Sequence, residues 1–167
     1  SDAMSSMEQG IALLRAGRFP EALQQFAQAL REQPTSPEPR IGLSQACQGI
    51  GDGWAAAAWL SDACRVAPER VDMWQGLVKL LMVLNRQAEL EPLLATALAL
   101  HSEDITLQRA QAELYLQSKR YAKGAQSYER LRQLQPLDAV TLMHHGYCLE
   151  QVGKVRDAIS EYRAAVE

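Results

Sequence analysis

The sequence has little cysteine, few aromatic rings, no long apolar run and no excess of charge of one sign. Its three cysteines, Cys47, Cys64 and Cys148, form no CxxC pair and are odd in number. That speaks against a disulfide framework and for a reduced, cytoplasmic compartment. No apolar run approaches the roughly 20 residues of a membrane span, and no charged-then-apolar leader opens the chain. Lys and Arg number 17 against 20 Asp and Glu, a net charge of −3, with the two signs interspersed. Phosphate binding needs a concentrated basic face, so nucleic acid and membrane are set aside as partners. GxxxxGK[ST], GxSxG, HExxH and GxGxxG are all missing, and with them the signatures of the commonest nucleotide, hydrolase and zinc chemistries. The expectation is a protein that is no enzyme and takes no cofactor.

What is present is a repeat. At 167 residues, 47% hydrophobic and 22% charged, the chain is globular in composition and long enough to bury a core. Ser1-Asp2-Ala3 before Met4 reads as a remnant of tag removal, and Glu167 stops within a helical pattern, as a fragment would. Pro34, Pro68 and Pro136 differ by 34 and by twice 34, with Ser102 in the skipped place. The same step relates Phe26, Leu60, Leu94, Tyr128 and Tyr162, and also Ala22, Ala56, Leu90, Gly124 and Ala158. Periods of this length mark stacked supersecondary units. Five copies follow: 3–36, 37–70, 71–104, 105–138 and 139–167, the last incomplete and all in a single array from residue 4.

Each copy reads as two amphipathic helices. Phe19, Leu23, Phe26, Ala29 and Leu30 keep the three-to-four spacing of one helix face. Gly17, Gly51, Asn85 and Gly153 share one column, where a left-handed residue closes the first helix. Lys119 departs from that column. Proline closes the second helix, and Ser36 and Asp138 stand where caps for the following first helix belong.

The pattern resembles the tetratricopeptide repeat (TPR) family. "ALQQFAQALREQP" (Ala22, Phe26, Pro34) matches its A-x₃-F…P half, "WQGLVKLL" carries Trp74 and Leu77 at its W-x₂-L spacing, and "HGYCL" supplies Gly146 where the family prefers a small residue. The resemblance implies an all-α fold, a right-handed TPR superhelix or α-solenoid of ten helices. Small residues on first helices (Gly10, Ser44, Ala112, Gly146) then face small residues on second helices (Ala22, Ala56, Gly124, Ala158). The third copy breaks that rule with Val78 and Leu90, which calls for wider or re-angled helices. Pro92 predicts a late start or a kink in its second helix.

Candidate chemistry is sparse. His144 and Cys148 lie four apart on one helix face and invite a shared metal, but no further ligands stand at a sensible spacing. The competing reading packs Cys148 inward and leaves the histidines unlinked, with His145 half-buried. Cys47 replaces Leu13, Leu81 and Leu149 in a core column, as a small buried hydrophobe does. No base accompanies any cysteine, so no nucleophile is assigned.

The resemblance also implies a concave groove lined by first helices. Carried onto this chain, the groove residues are Gln45, Gln48, Gln75, Lys79, Arg109, Glu113 and Tyr147, with an apolar stripe of Met7, Ile11 and Leu14 at the opening. Met7 and Ile11 occupy places where a subgroup of the family carries a carboxylate clamp for chaperone tails, so that ligand is not expected. Lys79 and Arg109 remain as candidates for a ligand carboxylate, or as solvated charges, with Glu113 a possible partner. The opening stripe reads as a partner site, a self-contact or a buried surface.

"GWAAAAWL" (Gly53 to Leu60) poses a separate question. Gly53 stands where Phe19 and Tyr121 place an aromatic, so Trp54 is expected to swing in and fill the gap. Trp59 shares a column with Gln25, Leu93, Ser127 and Glu161, and with Leu93 forms a candidate outer patch, unless its ring lies flat over the alanines. The leading functional expectation is a protein-interaction scaffold that holds a peptide or segment of a partner protein in the groove. The alternatives are the N-terminal module of a larger enzyme, similar in arrangement to bacterial glycosyl- and sulfotransferases, and a module for weak self-association.

Overall fold

The computed structural model describes residues 4–167; the expected tag remnant, residues 1–3, lies outside the described residues. Among them are ten α-helices and no strand. First helices of the copies are α1 (Ser6–Arg15), α3 (Pro37–Ile50), α5 (Val71–Val83), α7 (Ile105–Gln117) and α9 (Ala139–Gln151). Second helices are α2 (Phe19–Glu32), α4 (Gly53–Val66), α6 (Gln87–Leu100), α8 (Tyr121–Leu134) and α10 (Val155–Ala165). No helix among the described residues is long and apolar enough to cross a membrane.

The turn inside each copy has one recipe. Gly17, Gly51, Asn85, Lys119 and Gly153 all have positive φ. In each copy the following amide donates back five residues: Arg18 to Leu13, Asp52 to Cys47, Arg86 to Leu81, Arg120 to Tyr115 and Lys154 to Leu149. This closure satisfies carbonyls that the end of a helix leaves unpaired. Lys119, which departs in type from the column, adopts its left-handed conformation at φ 61°. The turns between copies are tied by side chains. Ser36, Asp104 and Asp138 accept from amides in the first turns of α3, α7 and α9. Arg70 takes that place before α5 and instead binds Glu38 and Asp72. Trp74 Nε1 donates to the Pro68 carbonyl at 2.9 Å, and Gln108 Nε2, one copy on, donates to that of Ser102 at 2.8 Å.

The chain divides into two compact units, the first ending at Arg86 and the second running Gln87–Glu167. The boundary falls between the helices of the third copy, whose Val78 and Leu90 depart from the small columns. In the first unit Ala22, Phe26, Leu43 and Ala46 form a core cluster, with Met7, Leu13, Leu14, Leu23, Leu30 and Trp59 packed against it. Met7 and Leu14 of the opening stripe are thus part of this core, and Ile11 stays exposed. In the second unit Ala112, Tyr128, Leu131 and Cys148 do the same. The small columns are buried, and Ser44 Oγ donates to the Ala56 carbonyl across the α3/α4 contact at 2.9 Å.

Of the two outcomes expected at Pro92, a late start or a kink, the late start does not occur. Helix α6 begins at Gln87, in step with α2, α4, α8 and α10. The proline lies inside the helix and forgoes one backbone bond. Burial of Leu90, Leu94 and Ala97 on one face carries the helix through it.

Candidate functional site

In the first unit, α3 and α5 stand side by side and enclose an open hollow of about 480 Å³. Ile41, Gln45 and Gln48 line it from α3, and Gly76, Lys79 and Val83 from α5, with Leu60 of α4 beneath. The spacing of Gln45 and Gln48, three residues apart on one helix, puts both amides on the same exposed face. The orientation of Gln48 follows from its neighbour. Ser44 spends its one hydroxyl proton on the Ala56 carbonyl, so its oxygen accepts from Gln48 Nε2 at 3.4 Å. Gln48 Oε1 is thereby left facing away from Ser44 as an acceptor.

Lys79 is exposed and has no hydrogen bond or ion pair to a described residue. Asp72 at the rim is already held by Arg70, whose hydrogen bonds pull its carboxyl below the usual range. The hollow therefore offers one unspent cation, two exposed amides and an aliphatic floor. Three of the residues expected in the groove, Gln45, Gln48 and Lys79, meet here. Gln75, on α5, is half-buried and is not part of the lining.

The remaining groove candidates belong to the second unit. Arg109 donates through Nη1 to Thr141 Oγ1 at 2.8 Å. Tyr147 is exposed and meets Tyr121 edge-on, ring centroids 5.6 Å apart. The hydrogen bond that the Tyr121 hydroxyl donates to Tyr147 pushes the Tyr121 phenol up. Beneath them the Tyr128 hydroxyl is buried with no hydrogen-bond partner among the described residues. Burial raises the Tyr128 phenol as well.

On the second-helix side of this unit, a groove of about 510 Å³ reaches His145, which is only 4% exposed. Its Nδ1 lies 3.0 Å from Glu161 Oε2 and 3.2 Å from Arg132 Nη2, and Arg132 also pairs with Glu161. Glu161 Oε2 accepts from Arg132, and with the proton on Nδ1 it accepts from His145 as well, leaving Arg132 Nη2 and His145 Nδ1 as two donors that share one carboxylate oxygen. His145 is thus more deeply buried than its column suggested, and it is linked. Cys148 is fully buried and its thiol is pushed up to about 11 by burial. No group of three or more potential metal ligands exists among the described residues.

Trp54 does not turn inward as expected. Trp59 is half-buried against the first core cluster. Leu93 is half-buried in the second unit. Trp54 is 66% exposed, and the Arg86 guanidinium lies 3.9 Å above its ring. The gap at Gly53 is taken by Leu84, whose methyl sits 2.6 Å from where a Cβ would be. The column of Trp54, with Pro20, Ala88, Ala122 and Arg156, carried the signal that this ring faces outward.

Residues 13–81 match the model of the tetratricopeptide repeat family. No curated protein matches the chain in sequence. Among solved structures, a crystal structure of MamA superposes with TM-score 0.78 at 17% identity, covering 96% of this chain and 88% of that one. MamA from Desulfovibrio magneticus RS-1 gives 0.73 at 17% identity, covering 96% and 91%. YrrB, described as a TPR protein with an unusual peptide-binding site, gives 0.75 at 16% identity, covering 99% and 85%. These likenesses show the fold.

Proposed function

Because this chain is a tetratricopeptide repeat protein, we propose that it is a noncatalytic scaffold that holds a peptide or segment of a partner protein against its first helices. The observation that carries the reading is the hollow between α3 and α5, with Gln45, Gln48 and the unspent Lys79 around an aliphatic floor. An exposed amide row matches the alternating donors and acceptors of a peptide main chain, and the floor takes an apolar side chain. The peptide-binding site described for YrrB, a protein of the same fold, supports the reading. On this proposal the five copies serve as one array and the protein works in a reducing cytoplasm, in keeping with three buried, unpaired thiols.

The test is selection of a random peptide library on the intact chain, followed by affinity measurement with Gln48→Ala and Lys79→Glu. Both side chains are exposed, so neither substitution should disturb folding. Loss of one charge-assisted hydrogen bond weakens binding roughly tenfold or more. Selected peptides that bind both variants as tightly as the unaltered chain would sink the proposal, as would the absence of any selected binder.

A further inference from the structure

We infer that a polar hollow between α7 and α8 is a binding site for a phosphomonoester, the dianionic group of free phosphate or of a phosphorylated side chain. The inference is independent of the hollow between α3 and α5. This second hollow measures about 330 Å³. Gln108, Gln111 and Tyr115 line it from α7, and Lys123, Ser127 and Arg130 from α8, with no carboxylate among its lining residues. Ser127 is only 7% exposed, and neither its hydroxyl nor the amide of half-buried Gln111 makes a hydrogen bond with a described residue. Buried polar groups without a partner are rare in a folded chain, and two of them lining one hollow call for an acceptor inside it.

The other copies either supply that acceptor from within or fill the space. In the first, Ser6 and Gln28, from the columns of Gln108 and Arg130, both donate to Glu32. In the second, Arg40 and Asp62 of the same two columns form an ion pair. The third sets the buried Trp74 ring where the fourth has Gln108. In the fifth, His145 and Glu161 stand at the places of Gln111 and Ser127, and Glu161 accepts from Arg132. The fourth copy has neither a carboxylate nor an indole at these places, and its charge is reversed. The Lys123 column otherwise reads Glu21, Ala55, Glu89 and Asp157, and Arg130 stands where the second copy has Asp62.

Lys123, Ser127 and Arg130 share one face of α8, the two cations about 6 Å before and about 4.5 Å after the serine along the helix axis. Arg130 donates to the neutral amide of Gln133 at 3.2 Å. Lys123 Nζ stands 5.7 Å from the centre of the Tyr115 ring. Glu91, a carboxylate whose charge it feels, is spent on two nitrogens of Arg120 at 2.6 and 2.9 Å. Two cations match the two charges of a phosphomonoester, and the Ser127 hydroxyl and Gln111 amide add donors to its oxygens. A carboxylate or a phosphodiester carries a single charge and would leave one cation unmatched.

The experiment titrates the intact chain with inorganic phosphate and with three labelled peptide pools, degenerate except for a central phosphoserine, serine or glutamate. The phosphoserine pool should bind roughly tenfold more tightly than the other two, and inorganic phosphate should displace it. Lys123→Gln and Arg130→Gln should each weaken both probes roughly tenfold, whereas Lys79→Glu in the α3/α5 hollow should leave the preference for phosphoserine unchanged. Filling the space as the third copy does, with Gln108→Trp and Ser127→Leu, should abolish binding of both. A phosphoserine pool that binds more tightly than inorganic phosphate supports the site and assigns the group to a partner's phosphorylated side chain. Equal affinity supports it and assigns the group to free phosphate. Binding of neither probe, a glutamate pool as tight as the phosphoserine pool, or affinities unmoved by both charge variants overturns the inference.

Discussion

A Leu84 methyl stands 2.6 Å from the point where a Cβ on Gly53 would lie, and it fills the space that a ring would need to turn inward. Trp54 is left outside beneath Arg86. Of the three tryptophans, Trp74 is buried and Trp59 half-buried. Acrylamide should therefore quench mainly one emitter, and Trp54→Phe should remove that accessible fraction. Arg86→Ala should increase quenching further while changing stability by less than about 1 kcal/mol, the scale of an exposed cation–π contact.

Equivalent glycines one copy apart should respond oppositely to alanine. At Gly42 the new Cβ would press on the fully buried Phe26 ring, and overpacking of this kind costs about 1 to 3 kcal/mol. At Gly76 the nearest atom is 3.8 Å away, so Gly76→Ala should gain about 0.5 to 1 kcal/mol of helix propensity. Denaturant midpoints of the two variants should move in opposite directions.

Lys119 holds a left-handed conformation that its four counterparts assign to glycine or asparagine. Lys119→Gly should stabilise by about 1 kcal/mol, the cost of crowding a Cβ against the carbonyl, whereas Lys119→Ala should bring no gain. Thermal melts of the two would separate the backbone effect from the loss of charge.

Asp138 caps α9, and hydrogen bonds from the Thr141 side chain and amide hold its carboxyl below the usual range. A depressed folded-state value means the cap contributes above the unfolded value of about 3.9 and is lost as pH falls through the folded one. Asp62, Asp72 and Glu91, lowered by their arginine partners, act in the same direction. Melting temperature should be flat from pH 7 to pH 5 and fall below about pH 4. Asp138→Ala should cost about 1 kcal/mol at pH 7, and Asp138→Asn should remove that residue's share of the acid slope.

Burial pushes the Cys64 thiol up to about 12 and that of Cys148 to about 11, and it also raises Cys47. Ellman's reagent at pH 8 should find almost no thiolate in the folded chain and release all three groups in denaturant. Rapid labelling of any one in the folded state would contradict its burial.

The groove was only partly legible beforehand. Gln45, Gln48 and Lys79 were recognisable because each occupies a column pointing the same way from a first helix. That Gln48 presents its oxygen depends on Ser44 having spent its proton on Ala56, a contact twelve residues away in sequence. His145 was visible as a histidine in a partly apolar column, with Gln9, Leu43, Leu77 and Gln111 in the other copies. Its partners Arg132 and Glu161 come from helices on either side, 13 and 16 residues away, and no periodic pattern pairs them.

By itself the sequence determined the 34-residue repeat, the pair of helices in each copy and the left-handed turn at Gly17, Gly51, Asn85 and Gly153. These features repeat every 34 residues because each reports local backbone geometry, which recurs with the chain. Only the tertiary structure decided which side chain fills a particular gap, as Leu84 does at Gly53, and so which tryptophan faces water. Such choices depend on the volumes of neighbours brought together from different helices, and those volumes do not repeat.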